Sequence, residues 1–141
     1  MKNLILIAVA ALIATIVVIK ALPIEKERTR RLRRFWDRAC TGIEWRRRFP
    51  DVPKEDIRKF LDAFVDGFAF KTSQRLKFAP DDKVMDVYRS LYPESGWPDA
   101  LEVETFALIL GKEYNFDLSK VDDPDITLGQ LFAMIRAPTT G

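Results

Sequence analysis

The chain has 141 residues, with 23 Lys/Arg against 21 Asp/Glu, no histidine and a single cysteine, Cys40. That length allows one domain with accessories. The missing histidines exclude His-based triads and leave a Cys/His zinc site without ligands. One thiol cannot close a disulfide within the chain, so the core is expected to rest on apolar packing.

The apolar residues are unevenly spread. Leu4–Ile19 is an uncharged run of 16 residues, and it continues to Leu22 just before Pro23. As a helix this run spans roughly 24–28 Å, the short end of what a hydrocarbon core of about 30 Å requires, and Lys20 can snorkel to the headgroups. A cleaved signal peptide is the rival reading, with Lys2 as its charged start. The length of the run, and the absence of a small-x-small signal in Lys20-Ala21-Leu22-Pro23-Ile24, favour a retained anchor over 1–23. Lys2 alone flanks it on one side, while Lys20, Lys26, Arg28, Arg30, Arg31, Arg33, Arg34 and Arg38 follow on the other. The positive-inside rule therefore predicts a single-pass protein with a cytoplasmic body.

Charge divides the rest. Residues 20–48 hold 11 Lys/Arg and 4 Asp/Glu, whereas 49–141 hold 11 and 17. The basic part, 24–49, predicts a juxtamembrane helix from about Glu25 to Arg48, because Leu32, Phe35, Trp36, Ala39, Cys40 and Ile43 recur at spacings of three and four. On the opposite side, Arg30, Arg31, Arg33, Arg34 and Arg38 are candidates for facing anionic lipid, each worth about 1 kcal/mol near a charged surface. In the alternative, the apolar face packs on the next domain and the arginines are solvated or only mark topology. Periodicity reports a buried face and not its partner, so both readings stand. A tethered basic helix beside an acidic domain is a poor reader of nucleic acid, and none is expected as a partner.

The region 50–141 predicts a small helical bundle, giving an all-α fold overall. After Pro50 and Pro53, the spacing of Ile57, Phe60, Leu61, Phe64, Val65 and Phe68 predicts a helix over 54–70 with one apolar face. Asp81 or Asp82 is the expected cap of a shorter helix carrying Val84, Val87, Tyr88 and Leu91. Pro93, Gly96 and Pro98 force a loop, and Asp99 is the expected cap of a helix running to about Tyr114. Thr127 is expected to cap the last helix, with Leu128, Leu131, Phe132 and Ile135 on its apolar side.

From Asp99 onward the chain resembles an acyl carrier protein. The resemblance rests on Asp99-Ala100-Leu101-Glu102, which stands where that family opens its second helix with Asp-Ser-Leu. Tyr114 matches an aromatic position near the end of that helix, Asp117-Leu118 a following turn, and Ile126-Thr127 with Gln130 the start of the last helix. The match covers about 40 residues, Gly96 to Ile135. It is similar, more closely, to an uncharacterised bacterial family with Asp-Ala in place of Asp-Ser. The resemblance implies that 54–70 is the carrier's first helix and Lys71–Pro98 its long loop. It also implies that Ala100 occupies the prosthetic-group position. Alanine has no hydroxyl to carry phosphopantetheine, so a non-functional position and no cofactor are expected.

Carriers meet basic patches on their partners through an acidic second helix, so Asp99, Glu102 and Glu104 become the implied partner-binding residues. The bland alternative is that acidic residues in a first helical turn simply favour the helix dipole. No phosphate-binding glycine loop and no nucleophile elbow occurs. Asp81-Asp82 and Asp122-Asp123-Pro124-Asp125 read as turns and caps, without the spacing of a calcium loop. The expectation is a non-catalytic, metal-free protein-interaction module at the bacterial inner membrane. Its partner is an unidentified protein, with anionic lipid as an additional contact. An immunity-type protein that neutralises a toxin at that membrane is the alternative.

Overall fold

In the computed structural model, which describes residues 1–93 and 101–138, helix α1 runs without a break from Lys2 to Trp36. Pro23 lies inside it. Proline has no N–H to give to the carbonyl four residues back, but its fixed φ suits a helix, so the chain continues at the cost of one bond. Over an 18-residue window α1 has a mean hydropathy of 2.8 with none of it buried, so it has the length and composition to cross a membrane.

The juxtamembrane helix expected to reach Arg48 stops at Trp36, and a separate helix α2 covers Gly42–Arg48. The reason lies at Thr41, which is almost fully buried. Its N–H donates to the Leu76 carbonyl at 2.8 Å, and its hydroxyl lies 2.8 Å from the Leu76 and Phe78 carbonyls. A residue inside a continuous helix would already have committed that N–H to the helix. The turn also resets the phase of the apolar face. Leu32 and Phe35 are buried as the spacing predicts, but Ala39 and Cys40 are exposed and Ile43 is 66% exposed. Trp45 is the residue α2 buries, and its indole N–H donates to the Phe78 carbonyl at 2.8 Å.

Helix α3 spans Lys54–Gly67, a turn shorter than its pattern predicts. Ala69 adopts a left-handed φ of 56°, and the Phe70 N–H returns to the Val65 carbonyl, which closes the helix end. A 3-10 turn at Thr72–Lys77 precedes helix α4, Val84–Leu91. Neither Asp81 nor Asp82 caps α4; Lys83 holds that position without a side-chain bond. The Asp82 carboxylate is occupied elsewhere, since it accepts from the Ala79 N–H at 2.6 Å and pairs with Arg38.

Helix α5, Leu101–Tyr114, packs against α3, and the two touch most closely where Gly67 meets Phe106. A Cβ at Gly67 would lie 2.7 Å from the Phe106 Cα, so only glycine permits this crossing. A short 3-10 turn, Leu118–Lys120, leads to helix α6, Leu128–Arg136. Thr127 caps α6 as the sequence predicts, in a reciprocal box with Gln130. The free N–H groups of Leu128 and Gly129 donate to the Asp82 and Pro80 carbonyls, both at 2.8 Å. Every one of these helix-start donors is thereby satisfied.

Six α-helices and two 3-10 turns make up the described residues, which contain no strand beyond a single bridge between Lys83 and Thr127. The core is largely aromatic: Phe60, Phe64, Phe68, Phe78, Phe106 and Phe132 are essentially inaccessible. Leu32, Phe35 and Trp45 belong to that same cluster, so packing is continuous across the charge boundary near residue 49.

Candidate functional site

The arginine-rich half of α1 lies along α4. Arg31 donates from Nε to the Ser90 carbonyl at 3.0 Å and from Nη2 toward that of Leu91, two of the carbonyls left free at the end of α4. Arg34 donates to the Asp86 carbonyl and the Ser90 hydroxyl. Arg38 grips Asp82 with two parallel bonds of 2.6 and 3.0 Å, and both side chains are mostly shielded. Arg30 and Arg33 remain at the surface, each 74% exposed, paired only with Glu27 and Asp37 on the same helix turn. Of the five arginines proposed to face lipid, three thus reach the body and two point to solvent. The apolar face beside them is packed on the body: Phe35 lies tilted against Phe78, and Trp36 meets Phe70 and Phe78 edge to face.

Of the residues implied by the carrier resemblance, Ala100 and Asp99 lie outside the described residues. Glu102 is not free. One of its carboxylate oxygens accepts the Tyr92 hydroxyl in a short hydrogen bond, and the other is buried with no partner among the described residues. That bond, reinforced by partial burial, pushes the Tyr92 hydroxyl up to about 12, because losing its proton would set two negative charges side by side. Glu102 is therefore a joint between the end of α4 and the start of α5. Glu104 is exposed.

Around Glu104, α5 turns an uncovered face outward. Phe106 and Leu110 anchor the helix in the core, while Leu101 is 59% and Leu108 74% exposed. Leu101, Glu104, Leu108 and Lys112 follow at intervals of three and four, so they form one stripe along the helix. Next to the stripe runs an open groove of about 690 Å³, lined by Glu104, Leu108 and Lys112 on one side and by Phe116, Leu118 and Ser119 on the other. At its rim Asp117 accepts from the Ser119 hydroxyl at 2.6 Å and the Ser119 N–H at 3.1 Å, and these bonds hold its carboxyl below the usual carboxylate range. The sequence reading did not single out this stripe, because the apolar residues of α5 exceed a single face. The burial pattern was needed to say which face is left over.

Among the described residues, no group of three His, Cys, Asp or Glu side chains gathers to hold a metal ion. The chain matches no family model, no curated protein and no solved structure.

Proposed function

We propose that this protein is a membrane-anchored, non-catalytic interaction module that presents the α5 stripe to a protein partner in the cytoplasm. The observation that carries the reading is the uncovered row Leu101–Glu104–Leu108 on a body whose other large side chains are mostly tucked into one aromatic core. Two exposed leucines flanking a carboxylate suit a partner surface that is apolar with a basic residue in it. The unburied N-terminal half of α1 is the anchor, and the surplus of Lys and Arg after it sets the orientation. The helix order supports a carrier-like body: α3, a long connection, α5, a short 3-10 turn and a closing α6. With alanine at position 100, such a body carries no pantetheine arm. Fold alone does not supply the carrier's chemistry.

The test is site-specific photocrosslinking from position 108 in cells. One discrete adduct, lost in Glu104→Lys and retained in Glu113→Lys, is expected. A smear unaffected by Glu104→Lys would remove the stripe as the binding surface. Protease added to intact cells should leave the body whole, and digestion from outside would reverse the orientation. Incubation with a phosphopantetheinyl transferase and coenzyme A should add no mass. An adduct on Ser90, Ser95 or Ser119 would make the protein an acyl carrier instead.

A further inference from the structure

A second concavity, of about 370 Å³, sits between α2 and the N-terminal end of α3 and shares no residue with the α5 stripe. Its apolar surface comes from Ile43, Trp45, Ile57 and Leu76, and its charged residues are Arg46, Lys54 and Arg58. No carboxylate lines it. Six other cations of the body are matched to a carboxylate across elements: Arg38 with Asp82, Arg48 with Asp81, Lys59 with Glu113, Arg75 with Asp62, Lys83 with Asp125 and Arg136 with Asp56. Arg46, Lys54 and Arg58 have no such partner among the described residues. Three like charges converging on one cavity repel each other, and only a ligand of opposite sign turns that repulsion into attraction.

We infer that this cavity is a binding site for a small anionic amphiphile, a carboxylate or phosphate monoester head on a short apolar chain. The three cations take the head, with the arginines offering paired donors suited to carboxylate or phosphate. The tail lies on Ile43, Ile57 and Leu76, and Ile43 is the exposed apolar residue that its docking would cover. The volume is in the range of small-molecule sites. Placement favours a soluble ligand over a bilayer headgroup. The residues just after the C-terminal end of α3, Ala69–Lys71, lie beside Glu25, Arg28 and Thr29 of α1. The cavity is at the other end of α3, about 20 Å further along the helix.

Cys40 also lines the cavity, is exposed, and is the only thiol in the chain, so it reports occupancy directly. The experiment uses the full-length protein in nanodiscs of zwitterionic phospholipid and follows the rate of maleimide addition to Cys40. Octanoate and octyl phosphate should slow labelling at least threefold in a saturable manner. Octanol, octyltrimethylammonium and inorganic phosphate should each leave the rate within a factor of about 1.5. The pair Lys54→Gln with Arg58→Gln should abolish protection without moving the thermal midpoint, since Lys54 is exposed and neither side chain is in the core. Equal slowing by octanol or by the cation would reduce the effect to apolar partitioning and overturn the inference. So would protection that survives the double substitution. Protection seen only when the nanodiscs contain phosphatidylglycerol would assign the cations to the bilayer and overturn the soluble ligand.

Discussion

One ladder of backbone hydrogen bonds joins the two halves of α1, yet the halves have opposite surroundings. From Leu4 to Ile19 the helix carries no charge and is exposed throughout; from Arg31 to Trp36 it is strongly charged and half sunk in the core. The more hydrophobic half is the uncovered one. Burial is set by which surface lies opposite, and α4 with the Phe70–Phe78 segment offers a surface only to the second half. The uncovered half has the length and composition to cross a membrane, whereas the charged half finds carbonyls and a carboxylate waiting.

Removing a side chain from each half should separate them most clearly. Phe35→Ala is expected to lower the stability of the body by about 3–5 kcal/mol, because it leaves a large cavity beside Phe78. Ile13→Ala should leave the unfolding midpoint of the body unchanged. Denaturant unfolding in nanodiscs, followed by tryptophan fluorescence, reads both; equal effects would mean that α1 folds as one unit with the body.

The arginines offer a finer cut. Arg38→Ala deprives a shielded Asp82 of both its charged bonds and should cost about 2–3 kcal/mol. Arg30→Ala, at an exposed pair within the helix, should cost less than about 0.5 kcal/mol. If the two variants melt alike, the grip on Asp82 contributes nothing to holding the helix on the body. At the junction, Pro23→Ala restores the donor missing opposite Ile19. Amide exchange over Glu25–Arg28 should slow by on the order of tenfold while the midpoint of the body stays put. Unchanged exchange would show that Pro23 is not what weakens the helix there.

The smallest effect concerns pH. Tyr92 is raised in the folded protein, so its bond to Glu102 contributes fully below the ordinary tyrosine range and is lost as pH climbs through about 12. Tyr92→Phe should remove one phenol from the group that ionises near 12 in an absorbance titration, and should flatten the loss of stability over that interval. Loss of the phenol from the ordinary tyrosine range instead would show that Tyr92 does not make this bond.

The periodic parts of the fold were legible. Ile57, Phe60, Leu61, Phe64 and Val65 announced α3, and Thr127 with Gln130 announced the start of α6. What local pattern could not carry were pairings across dozens of residues. Nothing near Asp82 says that its carboxylate belongs to Arg38, so it read as a helix cap. Nothing near Thr41 says that carbonyls at 76 and 78 will claim it, so the phase of the apolar face was extended past a turn and pointed to Ile43 instead of Trp45. The α5 face was not read for the opposite reason: its sequence has too many apolar residues to choose among, and the packing of Phe106 and Leu110 against the core decides which of them turn inward.

The unbroken passage of α1 through Pro23 makes its second half a spacer of set length and set angle between the apolar half and the body. From Leu22 to Phe35 the rod is about 20 Å long, so in the proposed anchored arrangement the body rides at a fixed altitude above the bilayer. A partner fastened to the same membrane at a matching altitude meets it by sliding in two dimensions, at a local concentration no free partner reaches. Because the rod is a helix, altitude and bearing are coupled. One residue inserted after Pro23 lifts the body by about 1.5 Å and also swings it by about 100° around the membrane normal, which carries the α5 face away from any neighbour it had been facing.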